Sequence, residues 1–105
     1  MKYNLYDLEI TVVGDSKTFN CSHVVGDTLL VVGENLSFKS GTKQFSHYAL
    51  ATLMPYIAAK QRVHDESDWM KYETNIACPD PQCGARFAIK QTKLQSYEYE
   101  ANSKS

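Results

Sequence analysis

The chain has 105 residues, 43% apolar and 22% charged, with a formal net charge of −1. That is the size and make-up of one globular domain with a single core, and it argues against wholesale disorder. No run of like charges offers nucleic acid or an anionic membrane a field. No apolar run approaches the length of a membrane span, roughly 18 residues or more.

The N-terminal stretch Met1-Lys2-Tyr3-Asn4-Leu5-Tyr6-Asp7 is polar where a secretory leader needs an apolar core, so a cytoplasmic chain is expected. In that compartment thiols stay reduced. The three cysteines then read as metal ligands, reactive groups or buried apolar residues before they read as a disulfide framework.

From the N-terminus, residues 6–14 alternate with period two. Leu8, Ile10 and Val12 fall on one face; Asp7, Glu9 and Thr11 fall on the other, which predicts a half-buried strand closed by Gly14-Asp15. Residues 15–20 are polar and predict a loop. Gly26-Asp27 predicts a tight turn, with Asp27 accepting backbone N–H groups. The β-branched run of residues 28–32 predicts a second strand.

Residues 34–44 read as a loop. In residues 46–61, Leu50, Leu53, Met54 and Ile57 recur at helical spacing, with Ser46 or Thr42 as the candidate cap. Pro55 interrupts the hydrogen-bond ladder and predicts a kink or a division into two helices. Lys60 and Arg62 suit the negative end of the helix dipole. Trp69 reads as a lid over the helix. Residues 72–77 and 85–91 predict a hairpin, followed by a polar stretch.

The sum is an α+β fold: a small antiparallel sheet of two hairpin-like strand pairs packed by one main helix kinked at Pro55. A single compact domain is expected over residues 1–95, with residues 96–105 as a frayed polar tail.

Chemistry concentrates at the turn between the last two strands, Cys78-Pro79-Asp80-Pro81-Gln82-Cys83-Gly84. Two prolines stiffen it and a glycine relaxes it. Cys21 and His23 stand one residue apart, which in extended backbone would put both side chains on one side. Cys21, His23, Cys78 and Cys83 together make Cys3His, a composition of closed tetrahedral zinc sites. The gap between Cys78 and Cys83 is wider than the usual Cys-x-x-Cys knuckle, so a plain turn with buried thiols competes with a metal. Facing hairpin positions also allow a Cys78–Cys83 disulfide.

A cysteine nucleophile would need a neighbouring base, for which His23, His47 and His64 are the only imidazoles. Asp27 and Asp80 read as turn formers before general bases. No phosphate-binding glycine motif is present, and the seven tyrosines lack the basic interleaving of a single-strand binder.

Four stretches taken together resemble a family of small, conserved, uncharacterised bacterial proteins. They are residues 6–13 (YDLEITVV), 21–27 (CSHVVGD), 48–56 (YALATLMPY) and 77–81 (ACPDP), so the likeness covers about residues 6–91. The resemblance implies a single cytosolic domain with no assigned reaction. Members of that family tend to carry a cysteine just before the Tyr-Ala-Leu helix, where this chain has Ser46-His47, and many lack a counterpart of Cys83. In this chain His47 is therefore a candidate substitute for a missing thiol. The expected function is that of a small binding or accessory domain with a structural zinc site. A metal-free protein that binds a protein partner or itself is the alternative, and a thiol enzyme or redox protein is the third.

Overall fold

The computed structural model describes residues 1–100. Six regular elements follow one another: β1 (Lys2–Val13), β2 (Thr28–Val32), β3 (Asn35–Phe38), α1 (His47–Lys60), β4 (Thr74–Ala77) and β5 (Arg86–Glu98). The strands form one antiparallel sheet in the order β3-β2-β1-β5-β4, and α1 lies across one face, giving the small α+β architecture.

The sheet's register follows from the alternation in β1. Leu8 pairs with Val31, Ile10 with Leu29 and with Ile89, and Val12 with Phe87, so the apolar residues of three strands share one face. A register shift between Tyr6 and Leu8 reverses the parity and lets Leu5 bury as well. Ala49, Leu53 and Ile57 of α1 close the core over this face. Leu50 packs beside them, so of the expected stripe Leu50, Leu53, Met54 and Ile57 only Met54, half exposed, lies outside the core. Ser46 caps it, its Oγ accepting from the Ala49 N–H at 3.4 Å, and α1 runs through Pro55 as one unbroken helix.

Three expectations need correction. Residues 35–38, read as loop, form β3, paired to β2 through the Gly33-Glu34 turn in which Gly33 takes φ +58°. All four β3 residues are exposed, so no buried face marked them out. The expected tail from residue 96 begins inside β5, where Ser96, Tyr97 and Glu98 pair with Asn4, Tyr3 and Lys2. The rest of that tail, residues 101–105, lies outside the described residues. Trp69 remains 57% exposed, its ring edge-on to Tyr56 of α1. Lys60 is fully buried, its ammonium donating to the Tyr72 carbonyl oxygen, and burial lowers its pKa.

Candidate functional site: a three-thiol cluster

The hairpin between β4 and β5 and the long connection between β1 and β2 meet at one end of the sheet. The connection is closed at its base by two backbone bonds, Gly26 N–H to Val12 O at 2.9 Å and Val12 N–H to Asp27 O at 2.8 Å. Asp27 also accepts from the Val24 N–H, as its place in the turn led one to expect. At its other limb, Asp15 caps a short 3-10 turn (Ser16–Thr18), and Thr18 donates its hydroxyl to Asp15 O at 2.7 Å.

The thiol turn is built on the residues its sequence advertises. Asp80 accepts from the Gln82 N–H through its carboxylate and from the Cys83 N–H through its carbonyl, each at 3.0 Å. The Cys78 N–H closes the hairpin on Ala85 O at 3.1 Å. Arg86 folds its guanidinium back on the carbonyls of Cys83 and Ala85. The two segments then dock: the Gly84 N–H donates to Thr18 O at 2.9 Å, and the Asn20 N–H donates to Cys83 Sγ at 3.2 Å. Gly84 is required here by close approach. A Cβ at that position would stand 1.8 Å from Thr18 Oγ1 and 2.6 Å from Thr18 Cβ.

Docking brings the early and late cysteines together. Cys21 Sγ and Cys83 Sγ are 3.5 Å apart, and Cys78 is near enough for its thiol to act on Cys83 as well. All three are free thiols, Cys83 buried and the other two half-buried. Each sulfur has a backbone N–H from two residues further along favouring its thiolate: His23 at Cys21, Asp80 at Cys78, Ala85 at Cys83.

The three nevertheless differ. Burial pushes the Cys21 and Cys78 thiols up, and the neighbouring Cys83 adds to that. Burial also acts to raise Cys83, but the Ala85 and Asn20 amides and the two flanking thiols outweigh it, and the group falls to about 7.

His23 takes a different environment from the one its spacing suggested. Residues 21–23 are not in a strand, and the ring stands edge-on to Phe45 at 4.6 Å and to Phe87 at 5.2 Å. It is 8% exposed, and its Nε2 has no hydrogen-bond partner, the thiols included. Burial lowers its pKa, only partly offset by Asp27. Among the described residues, no set of three or more His, Cys, Asp or Glu side chains stands as a ready ligand group.

A pocket of about 480 Å³ lies beside the cluster, lined by Cys21, His23 and Cys78 and by Ser46, Tyr48 and Ala49 at the start of α1. His47 is not part of it. Its ring lies against Tyr48 and lines a separate apolar groove with Leu29, Leu36, Phe38, Phe45 and Leu50. His64 sits at the far end of α1, its Nε2 2.6 Å from Ala59 O and its Nδ1 3.5 Å from Asp68.

Sequence reasoning thus reached the three thiols. It missed Asn20 and Gly84, which set the sulfur contact, because nothing local says that residue 20 lies over residue 83. Comparison of the chain with protein-family models, with curated proteins and with solved structures found no match.

Proposed function

We propose that the protein is a small binding domain of the cytosol that holds a thiophilic metal ion, zinc foremost, at Cys21, Cys78 and Cys83. The observation that carries this reading is the pair of sulfurs 3.5 Å apart with a backbone amide directed to each. Two zinc–sulfur bonds of about 2.3 Å at the tetrahedral angle separate their sulfurs by roughly 3.8 Å, so a zinc ion asks for little movement of this pair. Backbone N–H groups on the sulfurs stabilise thiolates, the form a metal needs. The unpartnered Nε2 of His23 is the natural fourth ligand, since coordination would relieve a buried nitrogen that is otherwise unsatisfied. Binding would draw Cys78 and His23 in toward the Cys21–Cys83 pair. The site's role is structural: it clamps the β1–β2 connection to the β4–β5 hairpin.

The test is zinc titration of reduced protein, with elemental analysis and thermal melting. One zinc per chain and a melting temperature that falls on chelation are expected, with affinity reduced at least tenfold in Cys78→Ser. Reduced, folded protein that takes up no stoichiometric zinc would overturn the proposal.

A second reading, self-association, draws on one further observation. β3 is an edge strand whose Leu36 and Phe38 are 41% and 49% exposed, beside an apolar groove of about 410 Å³. It predicts a melting temperature that rises with protein concentration and ignores chelators. A strict monomer at high concentration would remove it.

A further inference from the structure

Hairpin spacing singles out Cys78 and Cys83 as the disulfide candidates, but Cys83 also meets Cys21 across the two segments, the sulfurs standing 3.5 Å apart. The two also differ in access. Cys21 is half-buried and lines the 480 Å³ pocket, whereas Cys83 is 3% exposed and lies behind it. The Asn20 N–H holds the Cys83 sulfur at 3.2 Å, facing Cys21. Cys21 is thus presented at the pocket, and Cys83 is stored behind it with its sulfur against that of Cys21.

We propose that Cys21 and Cys83 form a reactive dithiol that exchanges with low-molecular-weight disulfides, Cys21 entering a mixed disulfide and Cys83 resolving it. Cys21 gives its proton to water, and its sulfur attacks one sulfur of the small disulfide, forming Cys21–S–S–R and releasing the first thiolate. The Cys83 thiolate then attacks the Cys21 sulfur. The Cys21–Cys83 bond forms, the mixed disulfide breaks, and the second small thiolate leaves and takes up a proton. Two electrons pass from the protein dithiol to the small disulfide, and nothing else is consumed. The movement required is small, because the sulfurs start 3.5 Å apart. A sulfur–sulfur bond is about 2.04 Å long, so side-chain rotation with a slight backbone adjustment closes the gap. Cys78 forms no bond in either step.

The inference stands on the contact and the difference in access, and it needs no metal. Where zinc is bound, the same oxidation would withdraw two of its ligands.

The experiment treats full-length protein, reduced and then held in chelator, with 2-hydroxyethyl disulfide near neutral pH. Acid quenching and peptide mapping follow, with released thiol counted. The expected result is a Cys21–Cys83 linkage and two equivalents of released thiol. In Cys78→Ser the Cys21–Cys83 linkage should still be the bond that forms. Cys83→Ser should release one equivalent and accumulate a stable mixed disulfide on Cys21. A Cys78–Cys83 linkage in the native chain overturns the proposal, as does an unreactive native protein. Zinc uptake is measured separately on the same preparation, so a protein that binds zinc without closing this bond, or closes it without binding zinc, separates the two proposals.

Discussion

The contact that assembles the site is the approach of Gly84 to Thr18, and replacing Gly84 by alanine tests it directly. Gly84 does not have positive φ, so alanine can adopt its backbone conformation and the penalty is steric alone. The new methyl would stand 1.8 Å from Thr18 Oγ1 and 2.6 Å from Thr18 Cβ. The hydroxyl can rotate away, at the expense of its 2.7 Å bond to Asp15 O, but the Cβ cannot. Restoring an ordinary contact of about 3.4 Å from 2.6 Å separates the two segments by roughly 0.8 Å. That displacement stretches the Gly84–Thr18 backbone bond beyond hydrogen-bonding length from its present 2.9 Å and lengthens the Asn20–Cys83 bond. Overpacking of about 1–3 kcal/mol and one lost bond of about 1 kcal/mol sum to roughly 2–4 kcal/mol. For a domain of this size that lowers the melting temperature by roughly 10–25 °C. Circular-dichroism melts in reductant and chelator measure it, and alkylation mapping should find Cys83 more accessible. Thr18→Gly removes both clashing atoms, so the Thr18→Gly/Gly84→Ala double variant should recover most of the loss attributable to Gly84→Ala. A single variant melting within about 2 °C of the native protein, or a double variant showing no recovery, would refute the reasoning.

Three more outcomes follow from the same geometry. In metal-free protein, Cys83 ionises near 7 when folded and at its ordinary 9.0 when unfolded; its contribution is fully present above 9 and lost as pH falls through 7. Chemical denaturation should therefore show stability rising by about 1–3 kcal/mol between pH 7 and 9, a rise that Cys83→Ser flattens. At higher pH it should decline, because Cys21 and Cys78 are raised. His23→Phe fills the space between Phe45 and Phe87 without an orphaned nitrogen. Relief of that buried polar atom should stabilise the metal-free protein by about 1 kcal/mol in denaturant titrations. The same variant should remove the loss of stability below pH 6.5 that a depressed imidazole causes, while zinc titration shows weaker binding. Pro55→Ala, at an exposed position of α1, restores the missing donor to the Ala51 carbonyl. Net of unfolded-state entropy it should raise stability by about 2 kcal/mol in thermal melts, with zinc uptake unchanged.

Much of the fold is legible where one face of an element is buried and the other is wet. β1 announces itself by Leu8, Ile10 and Val12, and β2 by its β-branched run. The β4–β5 hairpin is marked by the prolines and glycine between its arms. The pairing of residues 2–6 with 94–98 carries no such mark: Gln95 bonds Asp7, and Tyr97 stacks on Tyr3 at 5.5 Å, but the ribbon has little buried face to impose an alternation. The helix was placed correctly, and Leu50, Leu53 and Ile57 of its expected face meet the core while Met54 does not. Met54 fits the helical period as well as Leu50 does, and only the packing of α1 on the sheet leaves it outside and brings Ala49 in. Lys60, polar by composition, is buried because its stem packs inward and Tyr72 offers a carbonyl to its head.

What the amino-acid order determined by itself was local: which stretches are strands, where the helix lies, and that two stiffened cysteines occupy a turn. Those properties depend on neighbours a few residues away, through side-chain alternation and the dihedral limits of proline and glycine. Which thiols meet is a different kind of fact. Cys21 reaches Cys83 because a connection from the other side of the sheet folds back and presses Thr18 against Gly84, and an imidazole two residues later turns inward between two phenyl rings. Packing between segments far apart in the chain decides that, and no periodicity records it.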